Sequence, residues 1–125
     1  MLNLHHHLRI YIATQPIHMR LSFRGLLGLI RGQLREDPTK GQLFCFFNKR
    51  RNMVKMLLCD ASGIWIFHKL LSMGTFEMPA CGDIDQKVVI DPATLALLLE
   101  GIDLASIKRR KRYQRPMADI VETAA

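Results

Sequence analysis

The side chains in this chain that could do chemistry are mostly cations. Lys49-Arg50-Arg51 stand three in a row, and Lys69 follows in a later segment. Arg20, Arg24, Arg31 and Arg35 recur at spacings of four and seven, which on a helix would align four guanidinium groups along one arc. Lys108, Arg109, Arg110, Lys111 and Arg112 open a run that, through Arg115, holds six of the eighteen Lys and Arg residues. Cations presented together suit phosphate, because each phosphate they neutralise releases condensed counterions whatever the base sequence. Tyr113, inside the last run, could stack on a base.

Residues suited to bond-making chemistry are better explained by structure. GxSxG, P-loop and HExxH patterns are absent. Cys45, Cys59 and Cys81 are odd in number and lack CxxC spacing, so they read as reduced thiols acting as small hydrophobes. His18 and His68 are isolated, and His5-His6-His7 cannot all face one site in a helix or a strand. Asp37, Asp60, Asp83, Asp85 and Asp91 lie beside Pro, Gly or turn residues, where carboxylates close turns and cap helices. No catalytic residue, metal site or cofactor is expected.

The whole-chain balance agrees with the cationic reading. A net charge of +7 points to a polyanionic partner, nucleic acid or an acidic lipid surface. A lipid-surface helix would need an apolar face, which the 108–115 run lacks. The longest apolar stretch, around Leu95 to Leu99, falls far short of the roughly 20 residues that span a bilayer. No signal-peptide pattern is visible, and with unpaired cysteines a cytoplasmic location is expected. Apolar residues at 49% and charged residues at 23% are globular proportions and exclude wholesale disorder.

The elements that must position these cations follow from periodicity. Residues 1–7 read as a flexible end, 8–105 as a single domain and 106–125 as a basic, flexible tail. Leu8 to Ala13 alternates as a first strand. A helix is expected from Met19 to Glu36, with Phe23, Leu26, Ile30 and Leu34 toward the core and Gly25, Gly28 and Gly32 on a third line. The glycine line suggests either a close backbone neighbour or a weak helix. Gln42 to Phe47, Val54 to Cys59 and Ile64 to Lys69 form an antiparallel meander, turned at Asn48 to Asn52 and at Asp60 to Gly63. Strands running up, down and up place Lys69 at the same end as the Lys49-Arg50-Arg51 tip. Trp65 is expected in or beside the core. Val88 to Ile90 is a further short strand; Asp91 caps and Pro92 opens a helix through Glu100, stopped by Gly101. The fold class is therefore α+β: strand, helix, three-stranded antiparallel meander and short C-terminal helix. Phe44 and Phe46 belong to a strand apolar on both faces, whose second face needs cover from the last helix or a second subunit.

An ordered series of residues carries a resemblance. It runs from Pro16-Ile17-His18-Met19-Arg20 and Phe23 through Asp37-Pro38 and Gly41 to Leu43-Phe44 and Phe46. It continues with Lys49-Arg50-Arg51, Lys55, Asp60, Gly63, Lys69, Gly74, Phe76 and Pro79, and closes on Leu98-Leu99-Glu100-Gly101-Ile102. In this order and spacing the chain resembles the small TnpB-type accessory proteins of the insertion-sequence-sixty-six family of bacterial transposons, over about residues 8–105. His18 stands where that family usually has Asp. The resemblance implies a cytoplasmic bacterial protein that works beside a separate transposase and has no established active site. The expected function is a non-enzymatic accessory role in transposition, contacting DNA with little sequence preference, the transposase, or both. A homo-oligomer is possible. Two other classes stay open: an adaptor without DNA affinity, and a small basic nuclease or RNA-binding protein.

Overall fold

β-branched and aromatic side chains set the strands. The computed structural model describes residues 8–79, 86–103 and 108–109. β1 (Ile10–Ala13) precedes α1 (Phe23–Gly32); β2 (Leu43–Phe47), β3 (Met53–Cys59) and β4 (Ile64–Leu70) follow. Then come β5 (Lys87–Ile90), α2 (Pro92–Glu100), and a two-residue pair, β6 (Ile102–Asp103) with β7 (Lys108–Arg109). The main sheet has the order β4-β3-β2-β1-β5. β2, β3 and β4 form the expected antiparallel meander. β1 lies parallel to β2 and antiparallel to β5, so α1 is the crossover that returns the chain to a parallel neighbour. The result is an α+β fold with a short C-terminal helix.

Burial explains why β2 is apolar at every position. On one face Tyr11, Phe44, Phe46 and Leu57 pack with Leu26, Ile30 and Leu34 of the α1 region. On the other, Cys45, Phe47 and Val54 pack with Leu95 and Leu98 of α2 and with Leu71 and Phe76. Each such side chain taken fully out of water contributes about 1.5–3 kcal/mol. The second face of β2 is thus covered within the chain, by α2 and the segment after β4.

Local signals behave as the residue types dictate. Asp91 caps α2 by accepting from the Thr94 N–H at 2.7 Å, and Gly101 ends it at φ +78°. Asp37 likewise caps the 3-10 turn Pro38–Lys40. Asp60 closes the β3–β4 turn: Oδ1 accepts from Ser62 and Gly63 N–H, and Oδ2 from the Trp65 indole at 2.8 Å.

Three expectations, on the bounds of α1, on Phe23 and on Trp65, need correction, and the glycine line resolves to the weak-helix alternative. α1 covers Phe23–Gly32, not 19–36; Met19 and Arg20 sit in the turn before it, and Arg35 lies beyond it with φ +55°. A Cβ on Gly28 or Gly32 would meet open space, so no backbone packs against the glycine line; the glycines weaken the helix, which ends at the third of them. Phe23, the first residue of α1, is 46% exposed, ahead of the buried stripe. Trp65 is 45% exposed because β4 is the sheet's edge; its ring lies over Phe67 at 5.9 Å rather than in the core.

Candidate nucleic-acid interface

The five residues between β2 and β3 carry Lys49, Arg50 and Arg51 on a braced turn. Asn48 is the brace. Its Oδ1 accepts from the N–H groups of Asn52 at 3.1 Å and Met53 at 3.0 Å, and its Nδ2 donates to Asn52 Oδ1 at 2.7 Å. The Arg51 N–H donates to the Asn48 carbonyl at 3.0 Å, which bends the chain so that Arg51 takes φ +57°. A side chain in that left-handed region costs about 1–2 kcal/mol, which the surrounding bonds must offset.

The tip is also tied from behind. Phe76 N–H donates to Arg51 O at 2.7 Å and Leu71 N–H to Asn52 O at 2.8 Å. Phe76 is buried and meets Phe47 edge to face at 5.4 Å. Backbone bonds and an aromatic anchor therefore fix the main chain of the turn, while the Lys49, Arg50 and Arg51 side chains stand exposed to water.

The approach to α1 lies at the same end of the sheet. Ile17 N–H donates to Phe47 O at 2.9 Å, next to the start of the tip. Lys55, half-buried on β3, gathers two carbonyls with its ammonium group: Met19 O and Leu21 O, each at 2.6 Å. His18 Nδ1 accepts from Arg20 N–H at 3.2 Å, a side-chain-to-backbone closure of the kind a carboxylate makes in turns. Arg20 and Arg24 are exposed on either side of Phe23, and no acidic residue stands in the first turn of α1. A shallow hollow of about 460 Å³ runs along this segment from Arg20 to Gly25.

The other expected cations are placed differently. Arg31 faces the far end, lining a groove of about 230 Å³ with Pro38, Asp60 and Gly63. Arg35 also lies at that end, so the four arginines do not form one helical stripe. Lys69 shares the tip's end of the sheet, opposite Val54, but its ammonium donates to Leu99 O at 3.1 Å, at the end of α2. Lys108 and Arg109 are placed by their backbone in β7. Arg110, Lys111 and Arg112 lie outside the described residues, as do the N-terminal end at 1–7 and the rest of the expected tail.

The residues weighed for bond-making chemistry have structural surroundings. Cys45 is buried and burial pushes its thiol far up; burial raises Cys59 as well. His68 is lowered by burial and by the nearby Lys55 charge. Trp65, Ser62 and Gly63 hold the Asp60 carboxyl below its usual range, and Thr94 does the same for Asp91. Among the described residues no three His, Cys, Asp or Glu side chains gather where they could hold a metal ion. Cys81, Asp83 and Asp85 lie outside those residues.

Three residues that position the tip region, Asn48, Asn52 and Lys55, belong to no chemical motif. Asn48 and Asn52, spaced four apart around the cations, carried a signal: paired amides bounding a charged turn can close it on themselves. Lys55 signalled itself as a lone charge in an apolar strand. A second lysine, Lys87, pairs with Ala13 at the tip's end of the sheet and reaches back along β1. Lys87 donates to Leu34 O at 2.6 Å and pairs with Glu36, with its ammonium 5.6 Å from the centre of the Tyr11 ring. That pairing holds the Glu36 carboxyl below its ordinary value.

Comparison with known proteins places the chain. The family described as IS66 Orf2 like protein matches residues 8–109. The protein y4jC of Sinorhizobium fredii (strain NBRC 101917 / NGR234) is 35% identical over 109 residues, covering 87% of this chain and 91% of its own length. The protein y4hO of the same organism is 34% identical over 95 residues, covering 76% and 81% respectively. No solved structure matches the chain significantly. Among the described residues no helix is long and apolar enough to cross a membrane. With its whole described length matched by one family model, the chain belongs to the IS66 Orf2-like family, whose members are transposition-associated accessory proteins.

Proposed function

We propose that this protein serves transposition without catalysing a reaction of its own, by gripping DNA phosphates with the braced β2–β3 tip. The observation that carries the reading is the tip itself: three adjacent exposed cations on a main chain fixed by Asn48, Phe76 and Leu71. A preformed turn loses less freedom on binding than a floppy basic segment does. Arg20 and Arg24 extend the cationic surface at the same end of the sheet. Among the described residues no helix offers a row of amide or carboxylate side chains to base edges, so the grip is on the backbone and tolerant of sequence. A cytoplasmic setting and a transposase partner accompany this reading, because transposition needs both DNA and the enzyme that cuts it.

The test is binding of the full chain to two unrelated duplexes of equal length, in low salt. The expected result is similar affinity for both and a parallel loss with the Lys49/Arg50/Arg51 triple alanine variant. Absence of binding by the wild type would overturn the reading and leave the adaptor role, to be sought by titration with the transposase.

A further inference from the structure

We propose that the open edge of β4 pairs with β4 of a second copy of this chain, joining two sheets across a two-fold axis. The proposal is independent of the DNA reading. β4 ends the sheet, and among the described residues nothing pairs with its outer side. Which groups face outward follows from the hydrogen bonds at the two ends of the β3–β4 ladder. Asp60 N–H bonds to Gly63 O at one end, and Leu71 N–H to Asn52 O at the other. Bonded pairs alternate along an antiparallel ladder, so Trp65, Phe67 and Lys69 bond inward to β3. Ile64, Ile66, His68 and Leu70 then aim their N–H and C=O groups at open solvent.

This edge lacks the usual protections. It runs seven residues, has no proline, and exposes Ile64, Trp65 and Leu70 at 37%, 45% and 42%. The lysine that could guard it, Lys69, bonds inward and sends its ammonium to α2. The opposite edge, β5, is only four residues long.

The strand is also self-complementary. In the register that pairs all seven residues, Phe67 meets its own copy on the axis. Ile66 then faces His68, Ile64 faces Leu70, and Trp65 faces Lys69, so no cation opposes a cation. All four outward-facing residues fall into bonded pairs, giving about eight backbone bonds across the junction. Sliding by one pair brings either His68 against His68 or leaves Leu70 without a partner. The two α1 helices end up on one side of the joined sheet and the two α2 helices on the other. An edge-to-edge contact of roughly 1,200 Å² or less gives weak, concentration-dependent association.

The experiment combines sedimentation with amide exchange on the full chain across a hundredfold range of concentration. The expected result is a monomer–dimer equilibrium in which the amides of Ile64, Ile66, His68 and Leu70 become protected only as dimer forms. Trp65, Phe67 and Lys69 amides should be protected throughout. His68→Pro removes an outward donor and leaves the β3 ladder intact, and Leu70→Lys sets a charge against Ile64; each should weaken dimerisation about tenfold or more. Leu70→Lys keeps the test valid should the proline variant misfold. A monomer at every concentration, a dimer indifferent to Leu70→Lys, or outward amides protected independently of concentration would overturn the proposal. The last outcome would assign the edge to a segment of the same chain, and protection appearing only with transposase would assign it to that partner.

Discussion

Replacing Asn48 by alanine separates the rigidity of the tip from its charge. The side chain makes three hydrogen bonds, two as acceptor from Asn52 and Met53 N–H and one as donor to Asn52. Each is worth about 0.5–1.5 kcal/mol net, and water reaches part of this half-buried site, so a loss of about 2–3 kcal/mol is expected. In a chain of this size that lowers the melting temperature by about 10 °C. Asn48→Asp keeps both acceptor roles and should lose about 1 kcal/mol or less. Lys49, Arg50 and Arg51 survive in both variants. In Asn48→Ala, affinity for DNA should therefore fall, about three- to tenfold, from the freedom restored to the tip, while its salt dependence stays that of the wild type. Urea unfolding and a salt-titrated binding assay measure the two halves. Asn48→Ala stability within about 0.5 kcal/mol of wild type would refute the bracing argument, and with it the reason to prefer the tip over a flexible basic segment.

Other consequences follow from single contacts. Lys55→Met deletes the ammonium that holds Met19 and Leu21 carbonyls; a loss of about 2–3 kcal/mol and faster tryptic cleavage after Arg20 are expected. Glu36 has a lowered carboxyl pKa, so its ion pair with Lys87 stabilises the fold above the ordinary value of 4.5 and is lost as pH falls through the lower folded value. The gap in urea midpoint between wild type and Glu36→Gln should accordingly be present at pH 7 and shrink toward pH 3. Trp65→Ala should cost only about 1–2 kcal/mol in dilute monomer, whereas Phe44→Ala, wholly buried, should cost about 3–5 kcal/mol; melting curves decide.

The parts of the fold legible in the sequence are those written locally. Asp60-Ala61-Ser62-Gly63 closes a turn, Asp91-Pro92 opens a helix and Gly101 ends it, because capping and turn chemistry act within a few residues. The doubly apolar Phe44/Phe46 strand announced cover on both faces. What periodicity could not give was the partner of each face. Strand β1 sits between β2 and β5, and Phe76 seals the back of the tip, through contacts distant in sequence. Periodicity overstates the helix because Met19, Phe23 and Leu34 extend the apolar arc while the glycines and the turn at Arg20 shorten the hydrogen-bonded part. The exposure of Trp65 is not legible because alternation in Ile64-Trp65-Ile66-Phe67 does not say that the strand is an edge. The site shows the same division. The charges of Lys49, Arg50 and Arg51 were plain, but the helical arc of arginines divided between two ends of the sheet, and Lys69 turned to Leu99.

The central claim is that a small set of tip cations meets DNA phosphates. It is tested most directly by the slope of log affinity against log salt concentration, measured for wild type and for the Lys49/Arg50/Arg51 triple alanine. Each lost phosphate contact removes about 0.9 from the slope on duplex DNA, so the variant's slope should be shallower by up to about 2.7. Its melting temperature should match the wild type's, since these side chains are exposed. A variant that folds normally and binds with the wild-type slope would contradict the claim.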